Sequence, residues 1–187
     1  MTADSLKHHL LIAMPQLADP NFHHSVTYLI EHNADGAMGL TLNRPMEASL
    51  MDVFADLEIE CLAPPSDRHQ LVSGGPVQPE AGFILHPPTE QVWQNSVPVD
   101  DDLWLTTSRD ILEAIAAGNG PDRSLLALGY AGWGAGQLEQ ELVENAWLST
   151  PATADLIFDV PVTQRWQAAA ARLGVDLNLI STQAGHS

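Results

Sequence analysis

Lysine is almost missing from this chain: Lys7 is the only one in 187 residues. Schiff-base chemistry and pyridoxal phosphate both need a lysine amine fixed inside a site, and Lys7 stands in an N-terminal leader expected to be mobile. A Walker-type loop needs Gly-Lys-Ser/Thr, a run that Lys7, followed by His8, does not make. Cysteine is as scarce. Cys61 alone permits neither an intramolecular disulfide framework nor a cysteine-rich zinc site, and it fits a reducing compartment. Long apolar runs are absent too. Leu10 to Met14, closed by Pro15, is too short for a signal-peptide core or a membrane span. These shortages predict a cytoplasmic protein with no membrane partner.

Basic charge is the next shortage. Seven basic residues against 24 acidic ones give a net charge of -17, so the average field repels phosphate backbones. Arg44, Arg68, Arg109, Arg123, Arg165 and Arg172 are scattered singly, without the basic patch a nucleic-acid reader needs. No direct nucleic-acid partner is expected, and the acidity reads as a solvated surface. What the chain does have is a core: 45% of its residues are hydrophobic, enough for one domain over residues 1–187, with 1–7 and 185–187 as loose ends.

The periodicity predicts α+β architecture. Val26, Tyr28 and Ile30 alternate with Thr27, Leu29 and Glu31, the period of a strand. With the turn at Asn33 to Gly36 they predict a hairpin over 25–43, ended by Arg44-Pro45. Ser49 and Asp52 suggest a capping box before Leu50, Val53, Phe54 and Leu57. Strands are expected at 71–73 and 82–86, around the Gly74-Gly75-Pro76 turn, and at 104–105. Thr107 with Asp110 is expected to cap a helix that ends at Gly118. The apolar run 124–130 reads as a strand covered on both faces. A helix over 137–147, a strand over 156–158 and a helix over 162–173 complete the reading. Without a regular βαβ alternation, mainly antiparallel sheet is expected.

The stretch most like a site is Gly129 to Glu141, where Gly132, Gly134 and Gly136 precede an acidic helix. It fails as a dinucleotide fingerprint, because Glu139 stands where the third glycine belongs. A phosphate there would also meet Glu139 and Glu141 in the first turns, where they are expected to cap the helix. Trp133 then reads as a packing anchor. The alternative is a pocket shared with the other glycine turn and lined by Asn43, Arg44, Gly74, Gly75, Trp133, Gly136, Gln137 and Glu141. Arg44 would clamp an anionic group there or satisfy a buried carboxylate, and the ion pair is the preferred expectation.

Other chemistries find little. The eight histidines form no metal-ligand spacing, and His23-His24 would point apart on a strand. Asp100 to Asp102 cannot all face one ion without a tight glycine loop, and reads as a solvated turn. Ser73 lacks a nucleophile elbow, and Cys61 has no neighbouring cation. A carboxylate–histidine pair, Glu141 with His32 or His86, stays open because tertiary proximity is invisible in sequence. No metal and no cofactor are implied.

Several blocks nevertheless resemble one family. His32-Asn33, Gly36 to Leu40, Asn43-Arg44-Pro45, Gly74 to Val77, Gly129 to Glu139 with Glu141, Asn145 and Trp147, and the closing Trp166 and Leu173-Gly174 are similar to the AlgH/YqgE family of bacterial proteins. The resemblance runs from about Leu10 to the C-terminus. It implies a single α+β domain whose bifurcated sheet forms a pseudo-barrel flanked by helices. Family members are mostly uncharacterised, one branch carries a transcriptional-regulator label, and no catalytic residues transfer. The expectation is therefore a non-enzymatic regulatory or binding module, acting indirectly on gene expression through an unknown protein partner or small ligand. A small hydrolase or transferase with a pocket under the glycine turns is the alternative. A direct transcriptional regulator is a second one, which the net charge disfavours.

Overall fold

A computed structural model of the chain describes residues 5–177 except 18, 21 and 67. Its nine strands form one curled sheet in the order β6-β7-β5-β8-β3-β2-β1-β9, with β4 joined to β8 beside this path. The strands are β1 His9–Ala13, β2 Val26–Asn33, β3 Gly36–Thr41, β4 His69–Ser73, β5 Val77–His86, β6 Ser96–Asp100, β7 Leu103–Thr106, β8 Ser124–Gly134 and β9 Trp147–Pro151. All pairings are antiparallel except β4 with β8.

β8 is where the sheet divides. One of its edges is taken by β5. The other is shared: β4 runs parallel to Ser124–Leu128, and β3 runs antiparallel to Ala131–Gly134. At the fork the Gly74 amide donates to the Leu128 carbonyl, and the Gly74 carbonyl accepts from the Thr41 amide, both at 2.8 Å. This is the mainly antiparallel α+β architecture that the periodicity predicts, in the bifurcated, half-barrel form with flanking helices that the family resemblance implies.

Both faces are buried because alternate residues enter different cores. Leu10, Ile12, Val26, Tyr28, Leu125 and Ala127 face α4 (Ala154–Phe158) and α5 (Arg165–Ala171). On the opposite face Ile84 and Leu126 meet α1 (Leu50–Asp56) and α2 (Arg109–Ala116). Farther along that strand, Ala131 and Trp133 join Leu11, Leu29 and Trp147 under Leu138 of α3 (Gln137–Val143).

Ser49 and Asp52 do form the capping box of α1, and Gly118 closes α2 at φ 84°. Four local expectations are corrected. The N-cap of α2 is Ser108 rather than Thr107; its hydroxyl donates to Asp110, whose other oxygen accepts from the Gln94 amide. The helix after the glycine turn stops at Val143, Asn145 takes φ 61°, and Trp147–Pro151 pairs with β1 instead of continuing the helix. Residues 156–158 belong to α4, not to a strand; a short apolar run carries no period of its own. His23 and His24 stack, with ring centroids 3.8 Å apart, because His24 leaves extended geometry at φ 56°. Residues 1–4 and 185–187, expected to be loose, lie outside the described residues, while Ser5 and Leu6 bond to His32.

Candidate functional site

The second strand of the hairpin ends against the sheet fork, and this brings Asn43, Arg44, Gly74 and Gly75 together. The Ser73 amide donates to the Arg44 carbonyl at 2.8 Å. Asn43 ties the entry to β2: its carboxamide oxygen accepts from the Val26 amide, and its nitrogen donates to the His24 carbonyl, each at 2.9 Å. The Gly74-Gly75 turn crosses β8 so closely that its bare backbone is spent on Gly129 and Tyr130.

Beside this crossing lies a cavity of about 300 Å³, bounded by Pro20, Thr41, Arg44, Ser73 and Gly75, with Pro45 and Pro76 at its rim. The Arg44 guanidinium is half-buried and donates to the His23 carbonyl. Among the described residues it has no carboxylate partner, so the expected ion pair is not formed. Burial pulls its pKa below the usual arginine value. Behind it His24 stacks on Trp166 at 3.9 Å. Burial, then His23, then Arg44 hold His24 below the ordinary imidazole range, which leaves Arg44 facing a neutral ring at pH 7.

Trp133, Gln137 and Glu141 form a separate cluster. One oxygen of Glu141 accepts both indole N–H groups, from Trp147 at 2.9 Å and Trp133 at 3.2 Å. The other accepts from the Gln137 amide nitrogen at 3.0 Å, while the Gln137 oxygen takes the Gly134 amide at 2.9 Å. Phe22 stacks on Trp133 and meets Trp147 edge-on. The glutamates therefore do not cap α3. Glu139 turns back to His32 at 3.3 Å, and Glu141 serves the indoles; the cap position is Gly136, at φ 75°. No Glu141 pairing with His32 or His86 exists, since His32 takes Glu139 and the Leu6 amide, and His86 takes Thr106.

Glu141→Ala strands two indole donors, with Trp133 4% and Trp147 3% exposed. We expect a loss of about 2 kcal/mol, roughly 4–8 °C in Tm. Glu141→Gln keeps an acceptor and should lose less than half as much. Thermal unfolding followed by tryptophan fluorescence measures both; equal losses would show that the negative charge, not the acceptor, holds the indoles.

The eight sequence candidates thus fall into two groups, one around the Arg44 cavity and one beneath α3. Thr41, a buried hydroxyl on the cavity wall, escaped the sequence reading because it sits in an ordinary strand. Arg165 escaped as well: it is 2% exposed inside the core, and no sequence signal separates a buried arginine from a surface one.

The architecture is a forked half-barrel with an open cavity at the hairpin's end, and its relatives identify the lineage. The AlgH-like family matches residues 10–178, and this chain belongs to that family. A UPF0301 protein of Alcanivorax borkumensis is 63% identical over 186 residues, covering 100% of this chain and 98% of that one. The UPF0301 protein AlgH of Pseudomonas aeruginosa is 53% identical over 183 residues, covering 97% and 96%. The solution structure of the AlgH protein from P. aeruginosa superposes with a TM-score of 0.76 at 51% identity, covering 100% of this chain and 98% of that chain. A Corynebacterium diphtheriae protein crystal structure shares the fold at a TM-score of 0.76 and 21% identity, covering 97% and 94%.

Proposed function

We propose that this protein is a cytoplasmic, non-catalytic binding module of regulatory type, which takes a small anionic group at the Arg44 cavity. One observation carries this reading: a half-buried guanidinium without a carboxylate partner among the described residues borders a cavity lined also by Thr41 and Ser73. In a chain with net charge -17, a cation left un-neutralised there suits a carboxylate or phosphate, which Arg's fork binds in bidentate fashion. Two things support binding over turnover. The Glu141 oxygens and the His32 nitrogens already serve structural hydrogen bonds. The Gly74 amide and carbonyl are likewise taken up by Leu128 and Thr41. No helix among the described residues is long and apolar enough to cross a membrane.

Thermal unfolding of the pure protein against organic phosphates and di- and tricarboxylates tests the proposal. A ligand at ~100 times its Kd should add about 2.7 kcal/mol, roughly 5–10 °C. Arg44→Gln should abolish that shift while leaving the unliganded Tm within about 2 °C. An anion whose shift survives Arg44→Gln would place the site elsewhere.

A further inference from the structure

A second cavity lies on the other branch of the sheet, unconnected to the Arg44 site in its lining. It is a cleft of about 340 Å³ between α1, α2 and the β5–β8 pair. That volume falls at the lower end of small-ligand sites. Its floor comes from two cross-strand pairs, Gly82 with Leu128 and Ile84 with Leu126. Val53 and Leu57 of the α1 region and Leu112 of α2 make the walls. Gly82 is what opens the floor. A Cβ there would stand 3.4 Å from a Leu126 methyl and 3.8 Å from a Leu128 methyl, ordinary contact distances, so a side chain would grow into the cleft without moving the backbone.

The mouth is charged, and its balance is negative. Arg109 borders it but is half-exposed and engaged with Glu113 at 3.7 Å. Asp56 and Glu80 border it as well, and neither has an ion-pair or hydrogen-bond partner among the described residues. An anion would meet two free carboxylates and one arginine already paired, in the field of a chain of net charge -17. A cation gains from both carboxylates. The apolar floor rejects a bare inorganic ion, because burying a charge among leucines without ligands is costly.

We propose that this cleft binds a small amphipathic cation, an alkyl- or arylammonium, with its apolar body over Gly82, Leu126 and Leu128 and its ammonium at Asp56 and Glu80. The body that fits is one aromatic ring or a short alkyl chain. A partner helix is too large for the volume, although Leu57 and Met51 lie exposed on the same α1 region and add apolar surface to the rim.

The test is titration calorimetry and NMR shift mapping of the full chain with four matched probes: hexylammonium, phenethylammonium, hexanol and hexanoate. Both ammonium probes should bind saturably and shift the amides of residues 82, 112, 126 and 128. Hexanol should bind about tenfold more weakly and hexanoate more weakly still. The double variant Asp56→Asn with Glu80→Gln, both at the surface, should erase the preference for hexylammonium over hexanol. Gly82→Leu should abolish binding of both ammonium probes and of hexanol, its fold being checked by the amide spectrum. Arg44→Gln should leave the affinities of both ammonium probes and of hexanol unchanged, which separates this site from the anion site. Hexanoate shifting the amides of residues 82, 112, 126 and 128 at as low a concentration as hexylammonium, or an ammonium preference that survives the double variant, would overturn the proposal. So would concentration-dependent self-association, blocked by Leu57→Glu, in place of amine binding.

Discussion

Gly75→Ala should be the most destabilising of the substitutions considered for this chain. At φ 153° Gly75 occupies backbone space that side chains rarely enter, and a Cβ there would stand 2.2 Å from the carbonyl carbon of Tyr130 and 2.4 Å from the Ala131 nitrogen. Neither side can yield. Tyr130 and Ala131 belong to β8, paired with Val77 and Gly39 respectively, and Gly74 is bonded to both Leu128 and Thr41. Separating the turn from β8 would break the fork itself, so the cost should exceed about 4 kcal/mol, a large share of the roughly 5–15 kcal/mol that stabilises a domain. Gly136→Ala is the control. Gly136 is also left-handed, at φ 75°, but a Cβ there would find nothing within 4 Å, so only conformational strain remains, about 1–2 kcal/mol. Urea unfolding followed by circular dichroism should rank the two variants far apart; similar losses would mean that the crossing at β8 can relax.

Arg165→Met should be the next most damaging change. The guanidinium is 2% exposed and has no carboxylate among its partners. It donates instead to the carbonyls of Leu42 at 2.6 Å, Ile157 at 2.5 Å and Leu156 at 3.2 Å, and to the Gln70 side chain. Burial pushes its pKa down to about 10, which still leaves it charged at neutral pH. These bonds tie the end of the hairpin, β4 and α4 to α5, three segments far apart in sequence. Methionine fills similar volume but strands several buried acceptors, each worth about 1–3 kcal/mol. We expect a loss of about 3–5 kcal/mol, within the range seen when one partner of a buried charged group is removed. Arg165→Lys should recover only part, since one ammonium cannot reach four acceptors spread around a planar fork. Complete rescue by lysine would mean that charge alone, not the fork, satisfies the carbonyls.

Local patterns in the sequence carried the fold a long way. Alternation found β2, the turn after it implied β3, the Ser49–Asp52 spacing found the start of α1, and the unbroken apolar run of β8 correctly implied burial on both faces. Failures came where tertiary contacts overrode local signals. Trp147 continues a helical period, yet the partner strand β1 claims it. Glu139 and Glu141 look like helix-capping residues, but His32 and two indoles, all remote or beyond the first turn, offer better partners. Arg44 is one of the chain's few cations, yet the ion pair its sequence context favours is not made among the described residues, and its guanidinium donates to the His23 carbonyl instead. The Thr41 and Ser73 walls of its cavity depend on how two branches of a sheet meet, which no single segment encodes.

The fork also dictates when this chain is able to fold. β3, β4 and β5 all wait for β8, and β1 keeps an open edge until β9 arrives. As the chain leaves the ribosome, more than its first 120 residues emerge before the central strand that joins them. Through that interval the early hairpin carries bare, apolar edges of the kind that recruit foreign strands. The half-barrel is therefore completed only late in the chain, when β8 and then β9 supply the partners that the earlier strands lack.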